Sequence, residues 1–407
     1  MTTDTTPKIE PEGGILTNSA EESKREEKRR RLLLLFLLLL LFLSCFCAVL
    51  FLRYLFNPAP LPELMSLPVD VNYSPHYLYS VYGIDQPVGA AVSQDGKRLY
   101  VAEAGGDRLI KIIEADSGRL LKEFMPPNTG PGERSPVYVA VDARGRVYVT
   151  DRLQHAIFIY TGDGEYLDTI IAPNLTLSAY VSSQLGGLPQ GTKYLYNIFQ
   201  EGVWYQSAGA TDWTTLPAPA PEGWSPLGIS ITADGRMLVT NVISEKSNII
   251  EYPASVTSSE NWVDFSPTFT TFGSYGEGDG QFIFPNDVLV DSKGRYYAVD
   301  GNNARISVWD SAQQFQYYFG SGTGEGAVSL PRGAYLDSRE RLFIVDAVGQ
   351  NVKVYSLAGD QPEFLYSFGD LGVDDGQFNY PNDVVLFGTN IIYVVDRENN
   401  RIQVWSY

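Results

Sequence analysis

Six segments of this chain repeat one pattern that starts at a proline. Each has the proline, two further residues, an apolar run, a turn that contains Asp or Gly, a second apolar run and then an acidic or polar residue. Short alternating and β-branched runs are typical of strands, and Asp and Gly suit the tight turns between them. The pattern predicts six β-hairpins, at residues 87–103, 136–151, 226–241, 285–300, 331–346 and 381–396.

Further apolar runs follow the hairpins. The third runs cover residues 108–112, 156–160, 248–252, 305–309, 351–355 and 401–405. Fourth runs follow five of them, at residues 120–124, 166–171, 268–272, 315–319 and 364–368. Each unit is thus predicted to be a four-stranded antiparallel sheet, which cannot bury both of its faces alone. Sheets that pack side by side around an axis solve this problem, so we predict an all-β fold, a six-bladed β-propeller.

The two ends of the repeat region are predicted to meet. The last unit has only three strands, whereas residues 77–83 (YLYSVYG) resemble the fourth strands FLYSFG and FQYYFG of other units. We expect this first strand to complete the last blade. Such closure would leave no open sheet edge to pair with another chain.

One interval between the repeats is too long. The motif prolines at 136 and 226 lie 90 residues apart, whereas the other intervals are 46 to 59 residues. Residues 172–225 are therefore either an insertion between the second and third blades or a degenerate seventh blade. They contain no recognisable inner-strand motif, which favours the insertion. Such an aromatic insertion is also a candidate binding element.

An apolar segment near the N-terminus predicts a membrane anchor. Residues 32–52 are 21 uncharged residues, and a helix of that length spans about 31 Å, the thickness of the hydrocarbon core. We predict a cytoplasmic, disordered tail at 1–31, a transmembrane helix at 32–56 and a proline-rich linker at 57–76. The basic run at 24–31 favours a cytoplasmic N-terminus, which makes this a single-pass protein of the cell membrane with an extracytoplasmic C-terminal domain. The alternative is a cleaved signal peptide.

Charge excludes one class of function. The net charge of the chain is −18, and residues 57–407 carry about −19 of it, because acidic and basic residues balance in residues 1–31. Nucleic-acid binding depends on Lys and Arg that neutralise phosphates, so we expect no nucleic-acid partner. The two cysteines, Cys45 and Cys47, lie in the apolar segment and leave the C-terminal domain without disulfides.

The repeats resemble the NHL repeat. Residues 273–310 and 369–405 share a Gly-rich lead, Gly-Gln-Phe, the motif proline, a turn, and then Asp-x-x-Asn-x-Arg-Ile. The resemblance implies a six-bladed propeller over residues 77–407. It does not fix the function, because such domains bind RNA or proteins, and relatives of similar architecture include metal-dependent lyases and lactonases.

Two groups of polar residues stand out within the repeats. Asp300, Asn303 and Arg305 recur as Asp396, Asn399 and Arg401, and this recurrence predicts a structural role in the loops. By contrast, the residues after the motif prolines differ between blades, and three consecutive blades present Asn286, Asp287, Arg332, Asn382 and Asp383 near the central channel.

The five channel residues are our candidate ligand-binding residues. Their oxygens suit Ca²⁺, which takes six to eight oxygen ligands, and Asn286, Asp287, Asn382 and Asp383 would be its ligands. Gluconolactonase-like propellers resemble this arrangement in having an Asn after such a proline. Arg332 would instead suit an anionic ligand. A structural alternative is that these residues hydrate the channel and cap its loops.

The sequence therefore favours a membrane-anchored scaffold that binds a protein or a glycan and carries no catalytic residues. The alternative is a Ca²⁺-dependent propeller hydrolase or lactonase that uses the channel Asn and Asp residues. A histidine-based zinc site is not expected, because the chain has only His76 and His155, and His76 precedes the first blade.

Overall fold

The computed structural model describes residues 16–56, 74–200, 202–219, 223–243 and 246–407. The chain divides into two units, Met1–Val69 and Asp70–Tyr407. Residues 1–15 of the predicted tail and residues 57–73 of the predicted linker lie outside the described residues.

Helix α1 (Leu16–Phe56) is the described part of the first unit. Its segment Glu27–Val49 has a mean hydropathy of 3.1 and is long and apolar enough to cross a membrane. The prediction of disorder up to residue 31 is wrong for residues 16–31, which are helical. Glu, Lys and Arg are good helix formers, and Arg31 lies 2.7 Å from Glu27 one turn away, so this charged stretch extends the apolar helix.

The second unit begins with β1 (His76–Val81) and continues with two blades. Blade 1 consists of β2 (Pro87–Val92), β3 (Arg98–Glu103), β4 (Ile110–Glu114) and β5 (Leu120–Phe124). Blade 2 consists of β6 (Pro136–Val141), β7 (Val147–Asp151), β8 (Ala156–Tyr160) and β9 (Tyr166–Ala172), with the short β10 (Leu175–Thr176) added at its outer edge.

An insertion follows blade 2. It contains α2 (Leu177–Leu185), β11 (Lys193–Asn197), a 3₁₀ turn (Ile198–Gln200), β12 (Gly202–Gln206) and β13 (Thr214–Pro217). The three strands form their own antiparallel sheet. Tyr196 and Val203 of this sheet share a hydrophobic core with Tyr160 and Ile171 of blade 2. The aromatic residues of the insertion are thus largely explained by packing on the outer side of blade 2.

Two further blades follow. Blade 3 consists of β14 (Pro226–Ile231), β15 (Met237–Ile243), β16 (Lys246–Tyr252), a short helix α3 (Ala254–Ser258) and β17 (Thr270–Phe272). The strands β18 (Ser274–Tyr275) and β19 (Gln281–Phe282) then form a small parallel pair. Blade 4 consists of β20 (Pro285–Val290), β21 (Tyr296–Asp300), a 3₁₀ turn (Gly301–Asn303), β22 (Arg305–Trp309) and β23 (Phe315–Phe319).

The last two blades repeat this plan. Blade 5 consists of β24 (Pro331–Leu336), β25 (Arg341–Asp346), β26 (Asn351–Ser356) and β27 (Glu363–Phe368). A second small parallel pair is formed by β28 (Asp370–Leu371) and β29 (Gln377–Phe378). Blade 6 consists of β30 (Pro381–Phe387), β31 (Ile391–Asp396), a 3₁₀ turn (Arg397–Asn399) and β32 (Arg401–Ser406).

The unit is a β-propeller. Its inner strands contact one another in the order β2, β6, β14, β20, β24 and β30, and β30 contacts β2 again. Apolar side chains fill the space between neighbouring blades. Between blades 4 and 5, for example, Tyr297 and Val299 share one core with Leu342 and Ile344. Each sheet therefore buries both of its faces against its neighbours, as the repeats require.

The expected closure of the ring is confirmed. Strand β1 pairs antiparallel with β32, so that Tyr77 lies opposite Trp405 and Val81 opposite Ile402. The rings of Tyr77 and Trp405 meet edge to face with their centroids 6.0 Å apart. Blade 6 thus has four strands, and its outermost strand comes from the opposite end of the unit.

Candidate functional site

The recurring loop residues have the structural role that their recurrence predicted. Asn303 donates to Asp300 Oδ2 over 2.7 Å and to the carbonyl of Gly276 over 3.0 Å, while Arg305 Nε donates to the same Asp300 oxygen over 3.0 Å. The guanidinium of Arg305 also donates to three loop carbonyls. Asn399, Arg401 and Asp396 make the equivalent bonds in blade 6. All of these donors are engaged within the protein.

The two ends of the inner strands define the two faces of the propeller. We call the end where the strands start at the motif prolines the proline face, and the end with the first hairpin turns the turn face. The starts of adjacent inner strands lie side by side at the proline face. Hydrogen bonds join them, since Asn286 donates to the Pro331 carbonyl over 3.3 Å and Asn382 donates to the Val88 carbonyl over 2.6 Å.

The second residue after each motif proline alternates between glycine and a larger residue around the ring. The order by blade is Gly89, Tyr138, Gly228, Asp287, Gly333 and Asp383. The glycines have no room for a side chain, since a Cβ on Gly228 would lie 2.0 Å from the Asn286 carbonyl oxygen, and a Cβ on Gly333 would lie 2.0 Å from Asp383 Oδ1. Three glycines therefore make room for three larger side chains from alternate blades.

Asp287 and Asp383 link neighbouring blades. The carboxylate of Asp287 accepts hydrogen bonds from its neighbour Val288 over 2.8 Å and from Ala334 N in blade 5 over 3.1 Å. The carboxylate of Asp383 accepts from its neighbour Val384 and from Ala90 N in blade 1, both over 2.9 Å. Asp383 also touches Gly333, the residue before Ala334, so the two carboxylates meet along one stretch of β24.

Burial dominates the electrostatics of this pair. Loss of solvation raises the pKa of Asp287 to about 7. It also raises the pKa of Asp383, and the nearby charge of Asp287 raises that pKa further. Both side chains are at least nine-tenths buried. Two acidic groups that share a dry site resist being ionised together, because neither charge is solvated and each repels the other.

Tyr138 is a third member of this group that the sequence did not reveal. It is 4 % exposed, and its hydroxyl makes no hydrogen bond with any described residue, although the Asn382 amide lies close by. Burial raises its pKa, and the charges of Asp383 and Asp287 raise it further. Its position two residues after Pro136, equivalent to Asp287 and Asp383, could have identified it as a channel residue. A tyrosine at that position, however, is equally typical of the hydrophobic core.

A cavity of about 760 Å³ lies in the channel on the turn-face side of this group. Tyr138, Asp287 and Asp383 line it, and so does the position two residues further along each inner strand. Those six side chains are Ala91, Ala140, Ser230, Leu289, Tyr335 and Val385. Exposed hairpin residues such as Gln94, Asp234 and Ser338 line the outer end, so the cavity is open to solvent at the turn face.

The remaining candidate residues lie towards the proline face. Arg332 donates to Asn286 Oδ1 and to the Tyr380 hydroxyl, both over 3.1 Å, and its guanidinium carbon lies 6.0 Å from the Phe284 ring centroid. Its Nε has no hydrogen-bond partner among the described residues. The sequence predicts one site of five channel residues, but the fold separates them into two groups. Asp287 and Asp383 line the cavity, whereas Arg332 and the two asparagines lie closer to the proline face.

A second cavity, of about 430 Å³, lies beside the insertion and is lined by Arg152, His155 and Trp224 among others. The guanidinium carbon of Arg152 lies 5.8 Å from the Phe284 ring centroid, and Arg152 donates a hydrogen bond to Ser225 Oγ over 2.7 Å. His155 Nδ1 lies 3.0 Å from the same Ser225 Oγ. Burial, together with the charge of Arg152, lowers the pKa of His155.

The arrangement is a poor fit to Ca²⁺. All four carboxylate oxygens of Asp287 and Asp383 already accept backbone N–H groups, and Asn286 Oδ1 faces the guanidinium of Arg332. Within the described part of the chain, no group of three or more His, Cys, Asp or Glu is placed to hold a metal ion. The two carboxylates supply only four oxygens, so a cation that needs six to eight would require further ligands beyond them.

Comparison with known proteins agrees with this class of fold. Residues 378–405, which include β30, β31 and all but the last residue of β32, match the family model of the NHL repeat. The resemblance to this repeat is therefore confirmed in blade 6. Among curated proteins, none matches the sequence.

Solved structures are similar at the level of the fold. One is a structural-genomics protein of unknown function from Bacteroides thetaiotaomicron, with 13 % identity, coverage of 82 % of this chain and 72 % of that one, and a TM-score of 0.51. A virginiamycin B lyase from Staphylococcus aureus has 13 % identity and a TM-score of 0.48, and the match covers 82 % of this chain and 99 % of that one. A chain of a nidogen/laminin complex has 14 % identity and a TM-score of 0.42, and the match covers 69 % of this chain and 80 % of that one.

Proposed function

We propose that this protein is a membrane-anchored scaffold whose extracytoplasmic propeller binds an acidic segment of a partner protein at its proline face. The observation that carries the proposal is Arg332, whose guanidinium lies between Phe284 and the hydroxyl of Tyr380 and whose Nε has no hydrogen-bond partner among the described residues. A guanidinium with free donors beside aromatic rings suits a carboxylate, which it binds through charge-assisted hydrogen bonds.

Other basic groups support this assignment of the proline face. Arg152 lies on the same Phe284 ring as Arg332, and the guanidinium of Arg397 lies 5.8 Å from the Tyr380 ring centroid. Three arginines thus surround two aromatic rings in a domain that carries about −19 overall. A local positive region in an acidic domain favours one orientation of an acidic partner over all others.

The backbone of this region is also unusual. Phe284 and Tyr380, each directly before a motif proline, have φ of +63° and +53°. Such values are strained for bulky side chains, and strain of this kind concentrates at functional sites because the surrounding structure must hold it in place. Here it fixes both rings beside Arg332.

The orientation in the membrane belongs to the same proposal. The apolar segment of helix α1 is preceded by a basic run at residues 24–31, and such charges stay in the cytoplasm. Tags at both termini of the full chain test this. We expect both tags to remain on one membrane-bound product, with only the C-terminal tag exposed at the outer surface of intact cells. A mature product without its N-terminal tag would instead show that the apolar segment is a cleaved signal peptide.

The binding proposal is tested by photo-crosslinking from the exposed position Glu398, which follows Arg397, in cells that naturally make the protein. A photoreactive amino acid there should capture a discrete partner protein. Arg332→Ala should abolish the product, whereas Arg144→Ala, an exposed arginine in a turn-face hairpin, should leave it unchanged. A product that survives Arg332→Ala would overturn the proposal, and capture of an acidic glycan instead would assign the site to glycans.

A further inference from the structure

We infer that the turn-face cavity of the channel is a binding site for a small primary amine, an organic ammonium ion with an apolar body. The site is separate from the proline face, so this inference does not depend on the proposed protein partner. It rests on the acceptor groups at the closed end of the cavity and on the apolar walls that lead to them.

The closed end offers three acceptors in a three-fold arrangement. Asp287, Asp383 and Tyr138 come from blades 4, 6 and 2, which alternate around a ring of six, and all three line the cavity. An alkylammonium group has three N–H donors arranged with three-fold symmetry about its C–N bond. An ammonium group on the channel axis would thus face one acceptor side chain from every second blade, with its C–N bond along the channel.

The acceptors have capacity for such a ligand. Each carboxylate oxygen accepts one backbone N–H and retains a second lone pair. The Tyr138 hydroxyl is the independent observation, because it is 4 % exposed and has no hydrogen-bond partner among the described residues. A buried polar group without a partner costs free energy, and a ligand donor would remove that cost.

Charge favours a cation over a neutral or anionic ligand. The two carboxylates lie together along β24 without a Lys or Arg ion pair among the described residues, in contrast to Asp142, Asp291 and Asp337, each of which has an arginine within 2.7 Å. Burial makes an uncompensated carboxylate costly, and a bound ammonium ion supplies the missing charge. A primary amine fits better than Ca²⁺ because it needs only three acceptors.

The apolar lining of the cavity favours an apolar body on the ligand. Ala91, Ala140, Leu289, Tyr335 and Val385 line the cavity beyond the acceptors, and its volume of about 760 Å³ falls in the range of about 300–1,000 Å³ usual for small-molecule sites. An aryl or alkyl body would lie against these side chains, and its far end would reach the open turn face.

The test measures binding of 2-phenylethylamine to the full chain in nanodiscs by titration calorimetry. The neutral isostere 2-phenylethanol should bind at least about tenfold more weakly, since a charge-assisted hydrogen bond adds that much or more. Asp383→Asn should weaken amine binding by a similar factor, whereas Asp360→Asn, the same change at an exposed position, should have no effect.

A second variant covers the case in which Asp383→Asn perturbs the fold. Leu289→Trp keeps all three acceptors and adds bulk to the cavity wall, so it should weaken amine binding while thermal unfolding shows a folded domain. Equal affinity for amine and alcohol, unchanged binding in folded Asp383→Asn, or unchanged binding in Leu289→Trp would each overturn the inference. Saturable binding of Ca²⁺ that displaces the amine would reassign the site to a metal ion.

Discussion

Asp383 Oδ2 in the last blade accepts a hydrogen bond from the backbone N–H of Ala90 in the first blade, over 2.9 Å. The two residues lie 293 positions apart in the sequence. This bond joins the inner ends of blades 6 and 1, while the pairing of β1 with β32 joins the outer edge of blade 6. The seam of the ring is thus held at both its inner and its outer side.

The outer side of the seam depends on Trp405. This side chain is 6 % exposed and contacts the rings of Tyr77, Phe368 and Phe378. We expect Trp405→Ala to lower the free energy of unfolding by about 3–5 kcal/mol, because it leaves a large cavity where β1 docks. Trp213→Ala, on a side chain that is 41 % exposed, should change it by less than about 1 kcal/mol. Urea unfolding of both variants measures the difference.

The close approach at Gly333 predicts a second sensitive position. A Cβ there would lie 2.0 Å from Asp383 Oδ1, so the carboxylate would have to shift, which would disturb its hydrogen bonds with Val384 N and Ala90 N. Gly333→Ala should destabilise the domain by about 1–3 kcal/mol. Gly132→Ala is the matched control, since nothing lies within 4 Å of a Cβ at this exposed loop position. Equal melting temperatures for the two variants would contradict the assigned contact.

Buried ion pairs in the hairpin turns should matter more than exposed ones. Arg341 is 1 % exposed and lies 2.6 Å from Asp337, while Arg119 and Glu114 form an exposed pair at 3.0 Å. Arg341→Met leaves a buried carboxylate without its partner and should cost about 3–5 kcal/mol. Arg119→Met should cost about 1 kcal/mol or less. Chemical denaturation distinguishes the two, and similar losses would show that the Asp337 carboxylate is solvated.

The buried carboxylates predict how stability depends on pH. Burial raises the pKa of Asp287 to about 7, so its contribution is fully present below the ordinary aspartate pKa and is lost as the pH rises through 7. The nearest titratable groups are Asp383 from β30 and Tyr138 from β6, and the charge of Arg332 from β24 acts on this group from the proline-face side. We expect the domain to melt at a lower temperature at pH 8 than at pH 5.5.

A variant separates this effect from the general repulsion of an acidic domain. Asp287→Asn cannot ionise, so the fall in melting temperature between pH 5.5 and pH 8 should be smaller than in the unmodified protein. Asp360→Asn removes the same charge from the surface and should retain the full fall. Identical pH profiles for Asp287→Asn and the unmodified protein would show that Asp287 does not titrate in this range.

Much of the fold was predictable because each repeat carries its own local signals. The strands follow from patterns within one repeat, whereas the closure by β1 and the structural role of Asp300, Asn303 and Arg305 follow from comparing the repeats with one another. The charged start of α1 was missed, because its helicity depends on continuation from the apolar helix as much as on its own composition.

The candidate site was only partly predictable. Asn286 and Asp287 are adjacent in the sequence, but adjacent residues of a strand point in opposite directions, so only Asp287 lines the cavity. Tyr138 could be found only by comparing the same position in every blade, since a buried tyrosine in one repeat suggests core packing. The burial of Tyr196 in the insertion depends on blade 2 and has no signal in the segment itself.

The closure by β1 has a consequence for the order of events during biosynthesis. Tyr82, next to β1, and Arg401, at the start of β32, are 319 positions apart, so the ribosome must complete nearly the whole domain before the first strand can find its partner. Until then β1 has an unsatisfied backbone edge, which is the kind of surface that chaperones recognise and that neighbouring chains can invade.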